Sequence, residues 1–117
     1  MPTRPRDLPT PPSHLSDETR DWWERLVQDY DFTAGELKLL RLACEAWDEG
    51  QRAREAVEEH GAVYADRFGQ PRARPEVAIS RDARTAFSRL LRELNLDAAA
   101  AGEPGRPPRI ANRYQRT

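Results

Sequence analysis

Residues 61–94 read GAVYADRFGQPRARPEVAISRDARTAFSRLLREL, and this stretch decides the fold. Its first half alternates between two faces, as a strand does, up to Phe68, and the cluster Phe-Gly-Gln-Pro at residues 68–71 is typical of a turn. Pro75 suits the first position of a helix, where its missing N–H is not needed. From there the apolar spacing becomes helical, so the stretch predicts a short β-hairpin followed by a helix.

A long helix is predicted before this hairpin. Thr33 and Glu36 are spaced as a capping box, which is the strongest helix start in the chain. The helix then extends to His60, and Gly61 is expected to end it as a left-handed cap. Its 27 residues give a rod of about 40 Å.

A shorter helix is predicted over residues 17–30, with Ser13 or Ser16 as its cap. The fold class is therefore mainly α, with three helices, a long central helix and a short β-hairpin between helices 2 and 3. We expect a disordered proline-rich tail at residues 1–13, a helical domain at residues 14–97 and a disordered basic tail at residues 98–117.

The bulk composition limits what this chain can be. It has 117 residues, of which 38% are hydrophobic and one is cysteine, and its mean hydropathy is −0.90. Such a chain has room for one small domain, and so many charges favour helices that bury part of their apolar surface against other subunits. Because no apolar run approaches a membrane span and no disulfide can form within the chain, we expect a cytoplasmic protein without membrane contact.

Charge is distributed unevenly along the chain. Residues 17–31 carry six acids and two arginines, whereas residues 62–95 carry seven arginines and four acids. An acidic half joined to a basic half hints at an anionic partner. The alternative is that the two halves neutralise each other within or between subunits.

The hairpin and the start of the third helix carry five arginines that could contact DNA: Arg67, Arg72, Arg74, Arg81 and Arg84. Arginine can donate two hydrogen bonds to one phosphate, and a two-stranded ribbon can lie against a groove. Two other roles stay open for them: binding acidic helices of a neighbouring subunit, or solvating the hairpin. The strong preference for arginine over lysine is also compatible with genome composition.

The long helix carries a seam of small residues, which lets another helix approach closely. Its partner is either the third helix or a second subunit. The predicted oligomer interface consists of this seam and two tryptophans: Leu39, Ala43, Ala46, Gly50, Ala53, Val57, Trp22 and Trp23. Because Trp22 and Trp23 are adjacent, they point about 100° apart, and one can face its own chain while the other meets a neighbour.

Catalysis has little support in the sequence. The lone Cys44 and the two distant histidines form neither a metal site nor a nucleophile with its base. No phosphate-binding glycine loop is present. The acids of the long helix, among them Glu45 and Asp48, are interpreted as a solvated face. We therefore predict no enzyme activity and no cofactor.

The order of these elements resembles the phage terminase small subunit family, in the branch whose helical hairpin is interrupted by a small β-hairpin. The resemblance covers residues 13–97 and rests on these positions: Gly61, Tyr64, Asp66, Phe68, Gly69, Pro71, Arg72, Arg74, Pro75, Val77, Ala78, Arg81, Asp82, Ala86, Phe87, Leu90, Leu91 and Leu94, with His14, Leu15, Ser16, Trp22, Trp23 and residues 37–47 upstream. The chain departs from many members in lacking a clear N-terminal helix-turn-helix.

The resemblance implies a non-enzymatic subunit that assembles as a ring in the host cytoplasm, binds double-stranded viral DNA and regulates the large packaging ATPase and nuclease. By the same resemblance, the large subunit is expected to contact Arg109, Ile110 and Tyr114 in the C-terminal tail. Two alternatives remain: an oligomeric adaptor without DNA contact, and a small DNA-binding transcriptional regulator.

Overall fold

The computed structural model describes residues 7–96 and the backbone of residues 109 and 110. Its elements, in chain order, are α1 (Asp17–Asp29), β1 (Tyr30–Asp31), α2 (Ala34–His60), β2 (Val63–Ala65), β3 (Pro71–Ala73), α3 (Pro75–Glu93) and β4 (Arg109–Ile110). The predicted fold class is confirmed: the protein is mainly α, with a long central helix and a hairpin between α2 and α3.

Local signals set the helix ends. The Ser16 hydroxyl accepts a hydrogen bond from the Thr19 amide at 3.3 Å, so Ser16 is the cap of α1. Thr33 and Glu36 form the predicted capping box, with reciprocal bonds of 3.2 and 2.7 Å. Gly61 ends α2 with φ 89° and ψ 164°. This conformation is extended and almost restricted to glycine, so the end of the helix was predicted but the left-handed helical geometry was wrong.

The hairpin is shorter than its sequence alternation suggests. β2 and β3 pair in antiparallel fashion, with Tyr64 opposite Arg72. Asp66, Arg67 and Phe68 lie in the connecting turn, although the alternating pattern had placed them in the first strand. The Asp66 carboxylate accepts hydrogen bonds from backbone N–H groups of the turn, and this local competition ends the strand.

The helix α3 runs back along α2. A Cβ atom added to Gly50 of α2 would lie 3.1 Å from the Cβ of Ala83 in α3, so the small residues allow these helices to approach closely. The larger core side chains lie at the other end of the pair, where α1 packs: Leu15, Trp23, Val27, Leu40, Cys44, Leu94 and Leu96. Burial and the nearby acids Asp48 and Glu45 raise the pKa of Cys44 to about 12.

A buried carboxylate attaches α1 to α2. Asp48 accepts hydrogen bonds from the Thr19 hydroxyl at 2.6 Å and from the amide and hydroxyl of Ser16, both at 2.8 Å. Burial disfavours its ionised form, but these hydrogen bonds outweigh burial and hold the pKa of Asp48 below its usual range. The interpretation of Asp48 as part of a solvated face was therefore wrong, because the acid is only 5% exposed.

Parts of both predicted tails contact the domain. Leu8 packs against the core, and the Pro9 carbonyl accepts a hydrogen bond from the Trp23 indole at 2.9 Å. At the other end of the chain, β4 pairs with β1 in antiparallel fashion. No sequence pattern indicates this pairing, and the predicted domain boundaries at residues 13 and 97 stay predictions. Among the helices of the described residues, none is long and apolar enough to cross a membrane.

Candidate nucleic-acid and subunit interfaces

Asp66 organises the tip of the hairpin. One of its carboxylate oxygens accepts from the backbone amides of Phe68 at 2.8 Å and Gln70 at 2.9 Å, and the other accepts from Arg72 at 3.0 Å. The Gln70 amide, the Arg72 guanidinium and the Phe68 amide stabilise the ionised form and lower the pKa of Asp66. Gly69, with φ 77°, completes the turn. The tip is therefore a defined shape presented to solvent.

Two of the five candidate DNA-binding arginines have partners within the chain. Arg72 pairs with Asp66, as described above. The guanidinium of Arg74 donates to the Gly61 carbonyl at 2.8 Å and to the His60 carbonyl at 3.2 Å. These are carbonyls at the C-terminal end of α2, where a cation is favourable. Both arginines thus maintain the hairpin and its junction with α2, whatever else they contact.

The other three arginines are more available. The guanidinium of Arg67 lies 4.8 Å from the centre of the Phe68 ring, which keeps both side chains together at the tip. Arg81 approaches Asp82 at 3.4 Å, but both side chains are largely exposed, so the pair contributes little. Arg84 is exposed and has no ion pair within the described part of the chain.

Arg81 and Arg84 begin a basic face of α3. Arg89 and Arg92 continue it, and both are exposed. The four guanidinium groups extend over about 16 Å of helix axis. The structure thus joins Arg81 and Arg84 to two further arginines that were not among the predicted DNA-binding residues.

The small-residue seam of α2 lies largely inside the protomer. Ala43 and Ala53 are buried, and Gly50 faces Ala83 of α3 in the same chain. Leu39 packs against the core, and Ala46 and Val57 are half-buried. The third helix is therefore the partner of this seam, and little of the seam is left to contact a second subunit.

The two adjacent tryptophans separate as their spacing predicts. Trp23 is buried in the core, whereas Trp22 is half-buried beside Phe87 of α3, with ring centres 5.8 Å apart. The Phe87 ring also lies 5.1 Å from that of Trp47 in α2, which is 37% exposed. Of the two tryptophans in the predicted interface, only Trp22 has surface to offer a neighbour.

These aromatic rings surround an open pocket of about 360 Å³ on the surface of the bundle. Trp22, Trp47, Phe87 and Leu91 form its apolar walls, and Glu18, Thr19 and Arg25 of α1 complete it. A shallow groove continues from Glu18 and Arg25 along the acidic face of α1, past Asp21 and Glu24. We name these two features together the aromatic pocket and its acidic rim.

A family model described as phage terminase, small subunit, matches residues 18–108 of the 117-residue chain. The chain belongs to this family. The match begins in the first turn of α1 and ends just before β4, so the resemblance drawn from the sequence is confirmed. No curated protein and no solved structure matches the chain. Small terminase subunits are generally non-catalytic.

The expected large-subunit contacts of this terminase subunit lie in the C-terminal tail. The backbone of Arg109 and Ile110 pairs with Asp31 and Tyr30, respectively, and Tyr114 lies outside the described residues. No three histidine, cysteine, aspartate or glutamate side chains cluster as a metal site within residues 7–96.

Sequence reasoning missed the aromatic pocket because its walls come from three helices. One sequence feature could have indicated it. Because Trp22 and Trp23 are adjacent on a helix, only one of them can face the core, and the other must lie nearer the surface.

Proposed function

We propose that this chain is the DNA-recognition subunit of a phage packaging terminase, acting inside the infected host. It would be a non-enzymatic homo-oligomer larger than a dimer that binds double-stranded viral DNA and regulates the large subunit. The single observation that carries the packaging role is the family match over residues 18–108. Support for DNA contact comes from the exposed arginine face of α3, which contrasts with the acidic α1.

Within this proposal, Arg81 and Arg84 are the main DNA contacts. Their guanidinium groups lie on a regular helix, have at most one weak partner each, and adjoin two further exposed arginines. Such a face binds phosphates and positions the protein without reading sequence directly. Recognition would therefore be weakly specific in each subunit and would be strengthened by the number of subunits that engage the same DNA.

The test compares two double variants with equal loss of charge. Arg81→Ala with Arg84→Ala removes the proposed contacts, and Arg20→Ala with Arg52→Ala removes two exposed arginines from the acidic half of the protein. Binding to unrelated DNA duplexes is measured by anisotropy over a range of salt concentrations. We expect the first variant to bind more weakly to every duplex, with a salt slope smaller by about two for each engaged subunit. We expect the second to bind as the wild type does.

The proposal of DNA contact through α3 is wrong if both variants bind with wild-type affinity and salt dependence. Native mass spectrometry of the same samples is the control. If the first variant loses its oligomeric state, Arg81 and Arg84 belong to a subunit contact instead.

Regulation of the large subunit is assigned to the C-terminal tail with Arg109, Ile110 and Tyr114. This assignment is supported by the family and by the basic composition of residues 98–117, which is typical of segments that become ordered on a partner. Removing residues 98–117 is expected to abolish co-purification with the large subunit and to preserve DNA binding. Retained co-purification would place the contact elsewhere.

A further inference from the structure

The hairpin end of the molecule exposes an unusual amount of apolar surface. Of the seven large hydrophobic side chains exposed in the described residues, five lie in the hairpin or the first turns of α3: Val63, Tyr64, Phe68, Val77 and Ile79. Phe68 is the most exposed at 73%, and it stands at the tip under the Arg67 guanidinium. An aromatic side chain held this far out, on a turn fixed by Asp66, is shaped as an anchor for a partner surface.

The aromatic pocket has complementary properties. Its volume of about 360 Å³ is large enough to take one aromatic side chain. Its walls are aromatic, which suits ring-to-ring packing. Its acidic rim carries Glu18, Asp21 and Glu24 against the single basic residue Arg25, so the rim favours a cationic neighbour of the inserted ring.

Within one chain the tip cannot reach the pocket. Trp47 of the pocket and His60 at the end of α2 are thirteen residues apart, which is about 20 Å of helix, and the hairpin extends beyond His60. The pocket and the tip thus belong to opposite regions of the α2–α3 pair. Any contact between them joins two molecules.

We infer that the hairpin tip of one copy binds the aromatic pocket of a second copy, with Phe68 packed in the pocket against Trp22, Trp47 and Phe87 and with Arg67 against the acidic rim. This inference rests on the proposed homo-oligomer and names the surfaces that build it. Because tip and pocket are different surfaces, repeating the contact leads head to tail from one copy to the next and closes as a ring if the rotation permits.

The assignment separates the five candidate arginines by role. Arg81 and Arg84 contact DNA under the proposed function, Arg72 and Arg74 hold the hairpin in shape, and Arg67 belongs to the contact between copies. A loss of assembly and a loss of DNA contact are therefore produced by different variants, so each proposal can fail without the other.

Two variants of the full-length chain test the contact by native mass spectrometry and analytical ultracentrifugation. Phe68→Ala removes the anchor, and Gln70→Ala, a truncation in the same turn, is its matched control. Trp47→Arg places a positive charge in the pocket. We expect Phe68→Ala and Trp47→Arg each to weaken association by at least about 30-fold, and Gln70→Ala to assemble as the wild type does. Thermal melts confirm that each variant is folded.

The decisive experiment mixes the two weakened proteins. Phe68→Ala keeps an intact pocket, and Trp47→Arg keeps an intact tip, so the mixture should form 1:1 heterodimers that neither protein forms alone. Folded variants that stay monomeric when mixed overturn the inference, and so does a wild-type oligomer that persists in both variants. If Trp47→Arg keeps its oligomeric state but no longer co-purifies with the large subunit, the pocket binds that partner and the inference is wrong. A wild-type dimer that dissociates in both variants and is restored in the mixture supports the contact but refutes the larger oligomer of the proposed function.

Discussion

Replacing Asp48 with asparagine tests the attachment of α1 with almost no change in shape. The carboxylate of Asp48 accepts three hydrogen bonds, one from Thr19 and two from Ser16, and the side chain is almost fully buried. Hydrogen bonds to a charged group contribute about 1.5–3 kcal/mol each, against about 0.5–1.5 kcal/mol for neutral pairs. Asparagine has one acceptor oxygen in place of two, so the hydrogen bonds accepted at the other position are lost, and those that remain weaken by about 1 kcal/mol each.

The expected loss is about 2 kcal/mol, after a discount for the exposure of Ser16 to solvent. In a domain of this size, such a loss lowers Tm by about 8–16 °C. The measurement is thermal unfolding followed by circular dichroism at pH 7, with every variant at one protein concentration because oligomers melt in a concentration-dependent way. The matched control is Asp82→Asn on the exposed surface of α3, which should change stability by less than about 0.5 kcal/mol.

The pH dependence gives a second, independent readout. The folded-state pKa of Asp48 is lowered, so its contribution is complete above the unfolded value of about 3.9 and is lost as the pH falls through the folded value. The difference between wild type and Asp48→Asn should be full at pH 7 and should narrow in acid. An unchanged Tm at pH 7 would refute the role assigned to Asp48, and a difference that did not narrow in acid would show that its charge is not the cause.

Three further predictions concern the backbone and the tail. Gly50→Leu should destabilise the protein by about 1–3 kcal/mol in urea unfolding, because the new side chain must push α3 away at Ala83; unchanged stability would contradict the close approach. Gly61→Ala should cost about 1–3 kcal/mol in the same assay because φ is 89°, and a stabilised variant would exclude that strain. Removing residues 98–117 should leave Tm and oligomer size unchanged, since the described part of this tail is the two-residue β4 and its pairing with β1 is short; early melting would place the tail in the core.

The sequence predicted those features whose cause is local. The capping box of Thr33 and Glu36 and the helix start at Pro75 each depend on residues within one turn of each other. The hairpin was also predicted, but its strands are shorter than expected because amides of the turn donate hydrogen bonds to Asp66. The sequence alone could not show whether these bonds or further pairing between the strands would prevail. Local chemistry therefore settled the order of the helices and the hairpin, and only the ends of these elements were misplaced. The pairing of β1 with β4, which joins distant parts of the chain, was missed.

Features that depend on two distant elements could not be predicted in the same way. The small-residue seam of α2 required a close helix but did not say whether it belonged to the same chain, and the contact of Gly50 with Ala83 decides for α3. Asp48 lies in a helix rich in acidic residues, and it was interpreted as part of their solvated face. Its burial becomes visible only when the start of α1, about thirty residues earlier, is placed against it.

Because the small-residue seam of α2 packs against α3 in the same chain, association between copies must be stabilised by other surfaces. A seam already covered by α3 offers a second copy little apolar area, and stable interfaces need an apolar, desolvated centre. In the described part of the chain, five of the seven large exposed hydrophobic side chains lie at the hairpin end, and the other two are Trp47 at the pocket and Leu42 on α2. Charge is divided in the same sense, with Arg67 at the tip and the acids Glu18, Asp21 and Glu24 beside the pocket. The surfaces left over by folding are thus unlike each other and complementary, which favours a repeating contact between copies over a contact of one surface with itself.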